Sequence, residues 1–133
     1  MKLAEILDET LPILPVETVL VPIPTILTHV RVRGYDHCLL LAKRLGKLRG
    51  LHCEQYLIRC KNETQRGTSR HIRQQQAARA FACHHQLSAT IPYLIIDDIY
   101  TTGATVIYAA KALRAAGARN IWVAVVARQP FKE

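Results

Sequence analysis

Two adjacent carboxylates, Asp97 and Asp98, stand just ahead of three threonine hydroxyls, Thr101, Thr102 and Thr105, with Gly103 and Ala104 between them. Small hydroxyl residues and a permissive glycine that open a helix make an anion cradle. The first N–H groups of a helix lack intrahelical partners, and its dipole favours negative charge there by roughly 0.3–1 kcal/mol. The two acids would repel a phosphate placed beside them. They must therefore face a cation or sugar hydroxyls, for which an ionised carboxylate is a good acceptor. Phosphate on one side and hydroxyls on the other describe a ribose 5-phosphate. A paired Asp after a strand is also a common solvated loop, and threonines before a helix a common cap. Their combination between a buried strand and a helix favours a ligand site.

The elements that must hold these residues are legible on either side. Leu94, Ile95 and Ile96 form an apolar run suited to a strand buried on both faces. Val106, Ala109, Ala110, Leu113 and Ala116 repeat at helical spacing, and Gly117 stops that helix. Upstream, VLVPI at 19–23 reads as a first strand, with Pro22 and Pro24 marking its exit and excluding a long central strand. Arg31 and Arg33 precede Gly34, a pattern that suits a pyrophosphate or a nucleic-acid phosphate, or exposed loop arginines. Asp36 is placed to cap a helix whose apolar stripe is Cys38, Leu41, Ala42, Leu45 and Leu48, with Lys43, Arg44, Lys47 and Arg49 outside it. Residues 54–60 read as a strand centred on Tyr56, Leu57 and Ile58. NIWVAVVA at 120–127 reads as a strongly buried strand, with Arg128 at its end. Strands alternating with amphipathic helices predict an α/β fold of three layers, a mostly parallel sheet with helices on both faces. Ligands in such sheets bind beyond the carboxyl ends of the strands, which puts the VPIP exit, the acid pair and Arg128 on one rim.

The chain of 133 residues is long enough for one domain, with residues 1–18 as an N-terminal docking segment in which Leu3, Ile6 and Leu7 share a helical face. No apolar run is long enough to span a bilayer, and acids occupy the place of a signal-peptide core, so a cytoplasmic location without membrane contact is expected. Cys38, Cys53, Cys60 and Cys83 form no CxxC pair and read as reduced and structural. His84 and His85 lack further ligands at metal spacing, and no protein metal site is expected. A formal net charge of +8 draws the chain toward polyanions. The basic stretch at 61–79, which includes Arg66, Arg70 and Arg73 around Gly67, can bury little and reads as a mobile lid that gains order on meeting an anion.

IIDDIYTTGAT resembles the phosphoribosyl pyrophosphate (PRPP) motif of type I phosphoribosyltransferases, departing from it at Tyr100, where an aliphatic residue is usual. QRGTSRHIRQQQAARAF resembles a segment of the ComF family, competence-associated proteins with a phosphoribosyltransferase domain. Gln65, Gly67, Ser69, Arg70, Arg73, Ala80 and Phe81 match it, while Thr68 and Gln76 replace the usual Leu and Asn. VPIP at 21–24, RGYDH at 33–37, and Ala127 with Arg128 fit the same family in the same order. The cysteine-rich zinc module common at the N-terminus of that family has no counterpart in residues 1–18, so the member is short or the chain a fragment.

The resemblance implies a type I phosphoribosyltransferase-like domain that binds PRPP with Mg²⁺. Asp97 and Asp98 would be the catalytic pair on the ribose hydroxyls, residues 101–105 would hold the 5-phosphate, and Arg31 and Arg33 the pyrophosphate. Mg²⁺ keeps its waters and substrate oxygens, so no protein cage is needed. It implies as well a role in DNA uptake or nucleotide metabolism, with single-stranded DNA along Arg66, Arg70 and Arg73 and a competence helicase or other uptake proteins as partners. A phosphoribosyl transfer, a non-catalytic DNA-binding module and a PRPP sensor all remain open, and no residue stands out as a general base.

Overall fold

The computed structural model describes residues 2–25, 36–60, 80–100 and 102–128. Its centre is a four-stranded sheet in the order β2, β1, β5, β6, made of β2 (His52–Cys53), β1 (Val19–Pro22), β5 (Pro92–Tyr100) and β6 (Asn120–Arg128). Every pairing within it is parallel. A two-stranded antiparallel ribbon, β3 (Ile58–Arg59) with β4 (Phe81–Ala82), stands apart. The helices are α1 (Lys2–Thr10), α2 (His37–Arg49) and α3 (Ala104–Ala115).

The alternation of side chains along β1 and β5 divides the core into two layers. Val19, Val21, Tyr93 and Ile95 pack with Ala109 and Leu113 of α3. Leu20, Leu94 and Ile96 pack on the other face with Ala4 and Leu7 of α1 and with Leu41, Ala42 and Leu45 of α2. This is the three-layer α/β arrangement expected, with helices on both faces. None of the described helices is long and apolar enough to cross a membrane.

Local chemistry explains the boundaries. Asp36 caps α2 by accepting the Leu39 N–H at 3.1 Å, and Gly50 closes it in the left-handed region at φ 65°. α1 docks through Arg49, whose Nε meets Asp8 Oδ1 at 2.7 Å and whose Nη2 reaches the Asp8 and Leu11 carbonyls at 2.6 and 2.7 Å. A guanidinium at the carboxyl end of α1 satisfies carbonyls the helix leaves unpaired. β1 is short, as its prolines require, yet it lies inside the sheet. Its ladder continues one step further through the Ile23 N–H to the Ile96 carbonyl at 2.9 Å.

Three expectations are corrected. Residues 54–60 do not form one strand: pairing to β1 ends at Cys53, and only Ile58 and Arg59 pair again, with β4. β6 is not strongly buried, because it is the sheet's outer strand among the described residues. Only Ala124 on it is buried, while Trp122 is 62% exposed. Leu48 leaves the apolar stripe of α2 and is exposed, having passed the last turn that faces the sheet.

Candidate functional site

β5 carries the acid pair to the carboxyl rim of the sheet. Asp97 is 7% exposed and Asp98 half-buried. Each carboxylate commits one oxygen to the backbone. Asp97 Oδ1 accepts the Asp98 N–H at 2.9 Å, and Asp98 Oδ1 accepts the Ile99 N–H at 2.8 Å. Among the described residues no N–H or hydroxyl donates to either Oδ2, so with both acids ionised each keeps an acceptor oxygen, while a protonated Asp97 lies close enough to donate to the Asp98 carboxylate. The Cys38 thiol, from the start of α2, donates to Asp97 Oδ1 at 3.6 Å, within reach for sulfur. Burial pushes the Asp97 carboxyl up to about 6, with the neighbouring Asp98 carboxyl adding to it, while the Asp98 N–H and the Cys38 thiol act the other way.

The candidate phosphate cradle lies at the start of α3. Gly103 is its N-cap, in the left-handed region at φ 84° and with no side chain to cap the helix. Thr102 Oγ1 accepts the Ala104 N–H at 3.3 Å, and the Ile107 N–H goes to the Gly103 carbonyl at 3.0 Å. The N–H groups of Thr105 and Val106 between them make no hydrogen bond among the described residues, as the first turn of a helix dictates. A Cβ at Gly103 would collide with the phenol of Tyr100. Tyr100 therefore lies over the mouth of the turn, and across the sheet its register partner Arg128 sets a guanidinium 5.8 Å from its ring centroid. Where the PRPP motif usually has an aliphatic residue, this chain has an aromatic wall clasped by a cation.

Of the residues singled out from sequence, the structure brings Asp97, Asp98, Thr102, Gly103, Ala104, Thr105 and Arg128 to one rim. Thr101, Arg31, Arg33, Arg66, Arg70 and Arg73 lie outside the described residues, as do the expected lid at 61–79 and the loop at 26–35. The residues that flank both stretches are joined to one another. Asp36 accepts from Thr25, its Oδ1 from the hydroxyl at 2.7 Å and its Oδ2 from the N–H at 3.3 Å, so the chain leaves and returns beside α2. The Cys60 N–H reaches the Ala80 carbonyl at 2.9 Å, so residues 61–79 start and finish at the β3–β4 ribbon.

Two residues of the site were not picked out from sequence. Cys38 was read as part of an apolar stripe, and nothing in its spacing marks it otherwise. Arg59 looked like the end of a strand. Its Nε donates to the Pro24 carbonyl at 2.6 Å and its guanidinium lies 4.9 Å from the Phe81 ring centroid. Burial lowers its proton affinity, and the Asp97 and Asp36 charges oppose that change. A basic residue closing a short strand just before the basic segment was the available signal.

Ligand atoms of Cys38, Asp97 and Asp98 all lie within 4.8 Å of one another. As a dedicated Mg²⁺ cage this trio does not fit. Mg²⁺ demands hard oxygen donors in octahedral array, whereas the thiol is soft, is kept protonated by burial, and one oxygen of each acid is already bonded. At the opposite, amino end of the sheet a cavity of about 200 Å³ is lined by prolines, Leu14, Leu94 and Trp122. Thr18 and Asn120 are the polar members of its lining, which includes no Lys or Arg to balance the charge of a phosphate.

With the geometry in view, the chain can be set beside known proteins. No protein-family model matches it, and no curated protein matches its sequence. Solved structures do. The allosteric regulatory enzyme of purine biosynthesis superposes with a TM-score of 0.65 at 19% identity, over 93% of this chain and 24% of that one. Glutamine PRPP amidotransferase from B. subtilis, complexed with ADP and GMP, gives 0.63 at 18% identity, over 93% and 25%. The fold is thus that of the type I phosphoribosyltransferases, and the chain spans about a quarter of the length of these neighbours.

Proposed function

We propose that this rim binds the ribose 5-phosphate part of PRPP. The observation that carries the reading is the pairing of two unlike subsites on one strand-to-helix turn. Two acids each keep one oxygen unbonded, and a glycine-capped helix start offers the N–H groups of Thr105 and Val106. The Oδ2 atoms of Asp97 and Asp98 accept from ribose hydroxyls, and residues 101–105 hold the 5-phosphate. Arg31 and Arg33 neutralise the pyrophosphate, and Arg59 adds a fixed cation on the same rim. Mg²⁺ bound with PRPP would supply charge neutralisation of the pyrophosphate and would be held by substrate oxygens and water, with no ligand set from this chain.

In phosphoribosyl transfer, a pentosyl transfer, the bond from C1 of the ribose to pyrophosphate breaks, pyrophosphate leaves with the electron pair, and an acceptor nucleophile bonds to C1. This chain's share is to orient the sugar and to balance charge. The neighbour whose name includes PRPP supports the sugar phosphate, and the likeness of 65–81 to ComF proteins supports a cytoplasmic role linked to DNA uptake.

Calorimetric titration of ribose 5-phosphate and of PRPP with Mg²⁺ tests the site. We expect both to bind, and Asp97→Asn with Asp98→Asn to weaken binding by roughly 10- to 100-fold, the worth of hydrogen bonds to charged acceptors. Unchanged affinity in the double variant refutes it. Pyrophosphate release with a panel of bases separates a transferase from a PRPP sensor. A second reading, single-stranded DNA held as part of a competence machinery that includes a helicase, is favoured by the net charge of +8 and the basic run around Arg66, Arg70 and Arg73.

A further inference from the structure

The Cys38 thiol has no task in the ribose-phosphate reading. It is 4% exposed at the start of α2, where packing alone would be served by any small apolar group. Its proton is nevertheless directed at Asp97 Oδ1, at 3.6 Å, the same oxygen that takes the Asp98 N–H at 2.9 Å. Asp98 makes a similar bond to the next backbone N–H and its carboxylate lies within 4.8 Å of the same sulfur, but among the described residues the thiol's hydrogen bond goes to Asp97. A carboxylate oxygen with two donors is fixed in place, and rotation of the group would break both bonds. Burial, reinforced by the Asp97 and Asp98 charges, raises the thiol well above its ordinary value, so at neutral pH it is a donor and not a thiolate.

We propose that Cys38 is a positioning residue for Asp97: its thiol pins Oδ1 and thereby presents Oδ2 to a sugar hydroxyl, an assignment that rests on the ribose-phosphate reading of the site. Among the described residues, the groups that face Asp97 are the Asp98 carboxyl from β5, the Cys38 thiol from α2 and the Arg59 guanidinium from β3. β6 sets Val125 opposite it and adds no charge there. The thiol bond favours the carboxylate over the carboxylic acid, so its loss raises the pH at which Asp97 ionises.

The test compares Cys38→Val, which fills the space without a donor, with Cys38→Ser, which keeps one. Cys38→Ala stands in should the valine variant fail to fold. Carboxyl carbon NMR of the ligand-free protein, with Asp97 assigned through Asp97→Asn, reads the ionisation directly. We expect the Asp97 midpoint to rise by roughly 0.5–1 pH unit in the valine or alanine variant and to stay at or below the wild-type value in the serine variant. A midpoint unmoved in the donor-free variants, or raised equally by serine, overturns the proposal. In a second arm, ribose 5-phosphate affinity is measured against pH. The variants' profiles should shift with their NMR midpoints, and an affinity loss equal at every pH assigns Cys38 to packing alone. If the wild type does not bind ribose 5-phosphate at all, the sugar-phosphate reading falls. The ligand-free titration still decides whether the thiol sets the state of Asp97.

Discussion

Asp97 is asked to do two things that pull in opposite directions with pH. Its ionisation lies near 6 in the folded chain against an ordinary 3.8, chiefly because burial disfavours the charge. Between those values the folded state binds the proton more tightly than the unfolded state. Its contribution therefore favours folding below about pH 4 and is lost as pH rises through about 6. The charge that weakens the fold is the one a sugar hydroxyl needs. We expect Asp97→Asn to raise stability at pH 7, by on the order of 1–3 kcal/mol, while weakening ribose 5-phosphate. Chemical denaturation at pH 4 and pH 7 checks the first half, since the stabilising effect should shrink at the lower pH. For the second, wild-type affinity should fall below pH 6 more steeply than that of Asp97→Asn. The variant retains only the ligand phosphate's own ionisation, which also lies near pH 6. Equal slopes would remove Asp97 from the hydroxyl subsite. Cys38 and Arg59 escaped the sequence because their roles are set by long-range contacts: Cys38 meets Asp97 only when α2 lies against the end of β5, and a thiol in an apolar stripe reads like any other small core residue.

The strand, turn and helix that form the cradle were legible because their signals are local: an apolar run, paired acids, a glycine and helical spacing all agree. The structure places α3 at Ala104–Ala115, as that pattern implies, but β5 runs on through Tyr100, so the acids lie within its last four residues and do not follow the strand. Elements that depend on neighbours were read less well. Residues 120–127 are as apolar as a central strand, but burial is decided by what lies alongside, and among the described residues β6 pairs with β5 on one side alone. Residues 54–60 carry strand formers, yet Tyr56 and Leu57 turn into the core beside Tyr93 and Phe81 without extending the sheet. Two predictions belong to this scale. Gly103→Ala forces a Cβ into the left-handed region and against Tyr100, and should cost about 1–2 kcal/mol or more, read from denaturant midpoints, with a loss of ribose 5-phosphate affinity. Asp36→Ala removes both the cap of α2 and the tie to Thr25, so a loss of about 1–2 kcal/mol is expected. Hydrogen exchange should then accelerate at Leu39 and Leu40; protection unchanged there would show that the cap contributes nothing.

Across the whole molecule, 18 Lys and Arg against 10 Asp and Glu attract any polyanion, so affinity for DNA by itself says little about a site. The two proposed ligands nevertheless draw on this charge differently. A sugar phosphate meets a few donors and two acids at the rim, and hydroxyl contacts to carboxylates release no condensed counter-ions. A single-stranded oligonucleotide that follows Arg66, Arg70 and Arg73 releases roughly 0.7 of an ion per neutralised phosphate, which makes its binding steeply salt-dependent. We expect a labelled oligothymidine, followed by anisotropy across a salt series, to bind the wild type with such a slope. Replacing the three arginines with alanine should flatten the slope of log K against log salt by about 2. Ribose 5-phosphate affinity in that triple variant should stay within about threefold of wild type, because the contacts proposed for it lie on β5, α3 and the turn between them. If the slope is unchanged, the segment at 61–79 is not the DNA contact. If oligothymidine is displaced by millimolar ribose 5-phosphate in the wild type but not in Asp97→Asn with Asp98→Asn, strand and sugar compete for one cleft. Arg59, on the β3–β4 ribbon where Cys60 and Ala80 meet and with its charge acting on Asp97, is the described cation that would allow it.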